Sequence, residues 1–147
     1  MTEHRLLSFV FSQKERNMLI DNALLDGVTK QAQESPRLRM NYNLHDSLDA
    51  KAQRLINALE PGTVLPIHRH RHTSETYILL RGKMKVLFYN EKKEVMETYN
   101  LDPLKGHYGV HIPAGQWHTL EVLESGTAIL EVKDGPYIPS APEDMLG

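Results

Sequence analysis

Cysteine is absent from the 147 residues of this chain. The protein therefore forms no disulfide bond and offers no thiolate to a zinc ion, so any bound metal must be held by nitrogen and oxygen atoms. The chain also has no large excess of positive or negative charge, because its formal net charge is only −2. Without a basic surface, nucleic acid is a poor match as a partner.

Long hydrophobic runs are missing as well. The longest, such as residues 77–80, are far shorter than the roughly 20 residues that cross a bilayer. Residues 1–6 lack the apolar centre of a signal peptide. These absences predict a cytoplasmic protein without a membrane segment, and the length predicts one domain, over residues 1–147, with one core.

From residue 64 onward, the sequence contains short apolar and β-branched stretches separated by turn residues. Many short strands at close spacing are typical of an antiparallel barrel or a double sheet. The predicted strands cover residues 64–71, 76–80, 83–89, 94–101, 109–112, 118–123 and 127–133. The sequence therefore predicts an all-β fold over residues 37–139, with residues 140–147 as a loose tail.

A helix is predicted before this β region, over about residues 12–36. Ser12 and Glu15 have the spacing of a capping box, and Ser35-Pro36 would end the helix. Apolar residues follow at helical spacing between these limits: Met18, Leu19, Ile20, Leu24, Leu25, Val28 and Ala32. We expect this helix to cover an end or an edge of the sheets.

Residues 37–45 alternate strictly between apolar and polar side chains, which predicts a half-buried strand. The polar face consists of Arg39, Asn41, Asn43 and His45. Exposure to solvent explains such a face, but two amides, a guanidinium and an imidazole also suit a pocket for a polar ligand, and both interpretations remain open. Residues 49–53 are predicted as a short helix that leads into a strand ending near residue 59.

The most informative stretch is the histidine-rich segment after Gly62. His68 and His70 are two residues apart, so their imidazoles share one face of a strand. Glu75 follows after a short turn, and His118 lies behind the turn at residues 113–115. Three imidazoles and a carboxylate that converge from paired strands form a site for one divalent transition metal ion. These ligands alone do not choose among iron, manganese, nickel, cobalt, copper and zinc.

Other polar residues offer further roles. His72 is interpreted as a rim residue beside the metal site, whereas His107, Tyr108 and His111 form a second polar cluster. We expect His111 to face the cavity, and we take His111 and Tyr108 as the candidates for acid–base catalysis. A purely structural histidine is the alternative for His111.

The histidine segment resembles the first motif of the cupin superfamily at every fixed position: Gly62, His68, His70, Glu75 and Gly82. The centre of the second cupin motif is matched by Pro113, Gly115 and His118. Two positions depart from that second motif, because His107 stands where the family has glycine and Val122 where it often has asparagine. Longer segments, among them residues 41–45, 57–62 and 131–137, resemble the WbuC-type cupin-fold metalloproteins.

This resemblance implies a cupin jelly-roll β-barrel (a double-stranded β-helix, RmlC-like) with an N-terminal helix, a bound metal and a homodimer. The WbuC name comes from bacterial surface-polysaccharide gene clusters, which indicates a small polar or sugar-like ligand. Two functions from different classes follow. One is a metal-dependent enzyme with isomerase-, epimerase- or dioxygenase-like chemistry, and the other is a non-catalytic module that binds or senses a sugar. The residues leave this choice open.

Overall fold

The computed structural model describes residues 17–146, which form two antiparallel β-sheets of five strands each and one α-helix. The helix is α1 (Asn22–Glu34), and the strands are β1 (Arg39–Asn43), β2 (Ala52–Leu59), β3 (Ile67–His68), β4 (Glu75–Arg81), β5 (Met84–Tyr89), β6 (Val95–Leu101), β7 (Gly109–Ile112), β8 (Trp117–Val122), β9 (Thr127–Asp134) and β10 (Met145–Leu146). Short 3-10 turns occupy Pro103–Lys105 and Pro142–Asp144.

The strands are arranged in the order β1-β2-β9-β4-β7 in the first sheet and β10-β3-β8-β5-β6 in the second. Neighbours in each sheet are antiparallel. The predicted all-β fold with a preceding helix is therefore confirmed. No helix within residues 17–146 combines the length and the apolar character needed to span a bilayer.

The core lies between the inner faces of the two sheets. In β5 the residues Met84, Val86 and Phe88 are buried and alternate with partly exposed ones, as the period of two in a strand requires. Residues from the other strands complete the cluster: Leu59, Tyr77, Leu79, Leu101, Val110, Ile112, Leu120, Val122 and Ile129. This packing fixes the positions from which the functional side chains project.

Helix α1 covers the outer face of the first sheet. Its buried residues Leu25, Val28 and Ala32 pack against Ile56 and Ala58 of β2. This contact agrees with the predicted helical spacing, but the helix covers the face of a sheet rather than an end or an edge.

The helix begins later than the sequence predicted. Asp21 is extended, and its carboxylate accepts a hydrogen bond from the backbone N–H of Leu24 at 3.0 Å, so Asp21 acts as the N-cap. Met18, Leu19 and Ile20 precede the cap and are exposed, contrary to the predicted apolar stripe. The proposed capping box of Ser12 and Glu15 lies outside the described residues.

Two further local predictions are wrong. No helix forms at residues 49–53, because Gln53 belongs to β2 and its buried amide donates hydrogen bonds to the carbonyls of Leu48 and Ala50. The expected loose tail at residues 140–147 contains a 3-10 turn and β10, which pairs with β3. Its Asp144 also forms ion pairs with arginine side chains, and these contacts order the segment.

Candidate metal centre

Four predicted ligands lie together at the inner faces of the two sheets. His68 on β3 pairs directly with His118 on β8, whereas Glu75 begins β4 in the opposite sheet. His70 lies in the loop after β3, and its carbonyl accepts a hydrogen bond from the backbone N–H of Gly115 at 2.8 Å. One ligand atom from each of the four residues lies within 4.8 Å of the others. The group therefore joins both sheets.

Backbone carbonyls orient two of the imidazoles. Nδ1 of His68 lies 2.9 Å from the carbonyl oxygen of Pro66, and Nδ1 of His118 lies 2.8 Å from that of Gln116. Since a carbonyl only accepts hydrogen bonds, each Nδ1 carries the proton and donates. In a neutral ring the lone pair then lies on Nε2, and a ligating histidine is commonly oriented in this way.

Glu75 is almost fully buried and is held by its neighbours. The hydroxyl of Tyr77 donates a 2.6 Å hydrogen bond to Oε1, which also lies 2.9 Å from Nε2 of His118. The second oxygen, Oε2, lies 3.3 Å from Nε2 of His70 but accepts no hydrogen bond. A buried carboxylate oxygen without a hydrogen-bond donor has a strong requirement for a nearby positive charge.

The electrostatic surroundings favour the protonation states that metal ligands need. Burial and the proximity of His118 lower the pKa of His68 to about 4. Burial also lowers the pKa of His70. Burial alone would raise the pKa of Glu75, but its contacts with His118, His70 and Tyr77 outweigh it and lower that pKa. At neutral pH, His68 and His70 are therefore neutral and the carboxylate is ionised.

These residues fit a divalent metal ion. Nδ1 of His118 donates to Gln116, so Nε2 is the ring nitrogen that points to Oε1 of Glu75 at 2.9 Å, and a cation bound by both atoms would satisfy this close approach. Ligands at about 2.1 Å from a metal lie about 3–4 Å apart, which is compatible with the 4.8 Å limit on this group. The three imidazoles and one carboxylate could hold one such ion, and their chemistry suits several first-row metals.

The two catalytic candidates lie elsewhere. Nδ1 of His111 is 3.1 Å from the hydroxyl of Thr76, which alternates with the inward-facing Glu75 and Tyr77 on β4. His111 is therefore on the outer face of the first sheet, and the expectation that it faces the cavity is wrong. Tyr108 is 61% exposed. The structure does not bring either residue to the histidine–glutamate group.

A separate groove collects the second polar cluster. It encloses about 610 Å³ between β6 and β7, and its lining includes His107, Tyr108, His111 and Tyr99. Nδ1 of His107 lies 3.1 Å from the carbonyl oxygen of Asn100. The predicted clustering of these residues is therefore found, but in a groove outside the metal centre.

The predicted polar face of β1 is only partly assembled. Arg39 and Asn41 pair with Leu59 and Asn57 of β2, on the side of the sheet that faces the interior, and Asn43 shares this side. Arg39 donates a hydrogen bond from Nη1 to the carbonyl of Val64 at 3.1 Å, and Asn41 is exposed.

His45 has a different environment from the other three. It is buried, and its Nδ1 accepts a hydrogen bond from the backbone N–H of Arg54 at 3.1 Å. This contact explains its position structurally. None of the four polar residues lines the groove described above, and a ligand role for Arg39, Asn41 and Asn43 stays a prediction.

Three residues beside the metal centre were not predicted from the sequence: Tyr77, Lys133 and Glu131. The hydroxyl of Tyr77 donates a hydrogen bond to Glu75. Because residues two apart on a strand share one face, the sequence could have indicated that Tyr77 lies beside Glu75. Lys133 pairs with Glu75 across the β4–β9 ladder, and its Nζ lies 3.4 Å from Oε2 of Glu131. Burial and the proximity of Glu75 raise the pKa of Glu131. Only the strand register reveals these two residues, and the sequence does not show that register.

Comparisons with known proteins agree with the fold. A model of the family described as "Domain of unknown function (DUF6016)" matches residues 20–101, more than half of the chain. No curated protein matches the sequence significantly. The capsular polysaccharide assembling protein CapF from Staphylococcus aureus is structurally similar, with a TM-score of 0.59 and 19% identity over 71% of this chain and 30% of CapF. The present chain thus spans less than a third of CapF.

Two other solved structures show the same architecture. KdgF from Halomonas has a TM-score of 0.55 and 16% identity over 71% of this chain and 84% of KdgF. The cupin domain of Cnp3 from Schizosaccharomyces pombe has a TM-score of 0.53 and 11% identity over 65% of this chain and 64% of that one. At these identities the likeness concerns the fold, which is the cupin jelly roll that the sequence predicted.

Proposed function

We propose a function for this chain, which belongs to the family described as a domain of unknown function (DUF6016). We infer that it is a metal-dependent cupin that acts on a small polar or sugar-derived molecule. The observation that carries the proposal is the convergence of His68, His70, Glu75 and His118 within 4.8 Å. A WbuC-type assignment and a role in surface-polysaccharide metabolism belong to the same proposal. The structural similarity to CapF, a capsular polysaccharide assembling protein, supports that role.

The reaction class that we propose first is isomerisation or epimerisation at a carbon next to a carbonyl. A divalent metal held by the three histidines and Glu75 would supply Lewis-acid polarisation of a substrate carbonyl. The protein's own part is to keep the ligands in position. Tyr77 orients the carboxylate of Glu75, and the carbonyls of Pro66 and Gln116 orient His68 and His118.

Acid–base roles for His111 and Tyr108 would require a substrate that reaches the outer groove, so we do not place them in this reaction. Dioxygen-dependent chemistry at iron is a second version of the same proposal, and it rests on the same ligands. The predicted homodimer and the cytoplasmic location stay predictions.

The test is elemental analysis of the purified, tag-free protein together with three histidine variants. We expect near-stoichiometric metal in the wild type and its loss in His68→Ala and in His118→Ala. The matched control is His107→Ala, because His107 is exposed and its imidazole forms its described hydrogen bond with Asn100, outside the metal centre. The metal content of this variant should not change.

Circular dichroism would establish that each variant is folded before its metal content is compared. A wild-type protein that takes up none of iron, manganese, cobalt, nickel, copper or zinc on reconstitution would contradict the proposal. If the wild type does contain a metal, the identity of that metal would direct the choice of substrates to screen. Iron would favour reactions with dioxygen, and zinc or nickel would favour isomerase-like reactions.

A further inference from the structure

A cavity opens directly beside the metal centre. It encloses about 110 Å³ between the loop that carries His70 and the chain segment at residues 134–140, and its lining includes Arg69, Arg71 and Lys133. A single water molecule needs only about 10–15 Å³ of such space. The cavity can therefore admit a functional group larger than water at a position next to a metal ligand.

Two arginines of this cavity share one carboxylate. Nε of Arg69 and Nε of Arg71 each lie 3.0 Å from Oδ1 of Asp144, and Nη2 of Arg71 lies 2.9 Å from the same atom. One carboxylate cannot neutralise two guanidinium groups, so a positive charge remains at the rim. The Arg71 side chain is 44% exposed, which leaves it accessible to a ligand that enters from solvent.

Lys133 provides a second positive group, deeper in the cavity. Its side chain is only 18% exposed, and its Nζ lies 3.4 Å from Glu131 and 5.9 Å from the ring centroid of Tyr137. An ammonium group has three N–H donors, and within residues 17–146 the carboxylate of Glu131 is the acceptor found near Nζ of Lys133. Lys133 therefore has unused hydrogen-bond donors beside the metal centre.

The charges around the cavity favour an anionic ligand once a divalent metal ion occupies the neighbouring centre. Three cationic side chains lie near four carboxylates, those of Glu75, Glu131, Asp134 and Asp144. A divalent metal ion at the centre would change this balance to net positive. A neutral ligand would leave that charge uncompensated, whereas a ligand with one negative charge would cancel it.

We propose that this cavity is an anion subsite of the metal centre, in which Lys133 and Arg71 bind the carboxylate of a small hydroxy or oxo acid. The inference rests on the proposed function and names its substrate class. A hydroxyl or carbonyl oxygen next to the carboxylate would lie toward the metal ligands, because His70 borders both the cavity and the metal centre.

The experiment measures binding of glycolate by calorimetry to metal-reconstituted protein at neutral pH. Ethylene glycol serves as the uncharged counterpart, and methyl phosphate tests the other common anion. We expect saturable glycolate binding, with weaker binding of both comparison compounds. Tighter binding of methyl phosphate than of glycolate would overturn the carboxylate assignment.

Two variants and one control test the assigned residues. Lys133→Met should weaken glycolate binding by at least about tenfold, and Arg71→Gln should weaken it several-fold, since a largely buried charged partner contributes more than one at the rim. Lys83→Met should have no effect, because Nζ of Lys83 forms its described ion pairs with Asp102 and Glu124, which are outside the lining of this cavity.

The outcomes separate this inference from the proposed function. If Lys133→Met fails to fold, Arg71→Gln remains decisive, because Asp144 keeps Arg69 as its partner in that variant. Glycolate binding within about twofold of wild type in the folded variants would overturn the subsite. If those variants still bind stoichiometric metal, only the subsite is overturned and the proposed metal centre is unaffected.

If no metal binds, the proposed function fails and the subsite fails with it, because the charge around the cavity is then net negative. Lost metal thus marks failure of the proposed function, whereas stoichiometric metal without glycolate binding marks failure of the subsite alone.

Discussion

The hydroxyl of Tyr77 provides the sharpest test of how the metal centre is held. Tyr77 is buried, and its hydroxyl donates a 2.6 Å hydrogen bond to Glu75. Burial and the negative charge of Glu75 raise the pKa of Tyr77 well above its ordinary value, so the hydroxyl remains a donor at all working pH values. Tyr77→Phe removes this single donor and leaves the ring, so no large cavity forms.

Two magnitudes follow from this change. A hydrogen bond to a charged group contributes about 1.5–3 kcal/mol to stability, so the metal-free variant should lose about that much free energy of unfolding. Removing a group that orients a metal ligand typically lowers metal affinity about 10- to 100-fold. That loss equals about 1.4–2.7 kcal/mol of binding free energy.

The assay combines chemical denaturation of the metal-free protein with metal titration against a competing chelator. Tyr99→Phe is the matched control, because Tyr99 also donates to a glutamate, Glu97, but is 47% exposed. Surface changes of this kind usually alter stability by less than about 0.5 kcal/mol. Metal binding by Tyr77→Phe that is as tight as in the wild type would refute the view that Tyr77 positions Glu75 for a metal.

Two further predictions concern the scaffold. Gly82→Ala should destabilise the metal-free protein by more than about 2 kcal/mol, because φ is +93° and an added Cβ would lie 2.2 Å from Oγ1 of Thr127. Gly106→Ala is the matched control, with φ of +79° and nothing within 4 Å of an added Cβ, and it should cost only about 1–2 kcal/mol when both variants are measured by thermal unfolding. Glu60→Gln should cost about 1–3 kcal/mol at pH 7. Burial would raise the pKa of Glu60, but hydrogen bonds from Ser125 and the backbone of Gly126 outweigh it and lower that pKa. The free energy of unfolding of the wild type should thus fall toward that of Glu60→Gln as the pH drops below about 4.3. Denaturant titrations at several pH values measure this difference between the two proteins. A difference that stays constant with pH would contradict a stabilising role for the ionised Glu60.

The strand pattern could be predicted because side chains alternate on opposite faces of a strand. The alternation placed β5 and β7 correctly or within one residue. It was wrong for the predicted strand over residues 64–71, because that strand ends at His68 and His70 lies in the following loop. The same rule also corrects the error at His111. Val110 and Ile112 are buried in the core, so the residue between them must face outward.

Long-range register could not be predicted in this way. The position of Lys133 beside Glu75 depends on how β4 and β9 align, and nothing local in either strand specifies that alignment. The C-terminal segment was missed for a similar reason. Residues 142–146 are too few to show a periodic pattern, and they pair with a strand almost 80 positions earlier, through Met145 and His68 among others.

The ligand-bearing segment of the metal centre is held less by its own strand than by distant parts of the chain. Strand β3 has only two residues, and it pairs with β8 through His68 and His118 alone. The following loop is fixed by Gly115, which binds the carbonyl of His70, and by Asp144, whose backbone carbonyl accepts a hydrogen bond from the N–H of Arg69. A short strand with few ladder hydrogen bonds lets two histidines project close together, and the contacts with the turn and the C-terminal segment supply the rigidity that the strand lacks. The spacing of the ligands is thus encoded near residue 70, but their fixed geometry depends on residues near both 115 and 144.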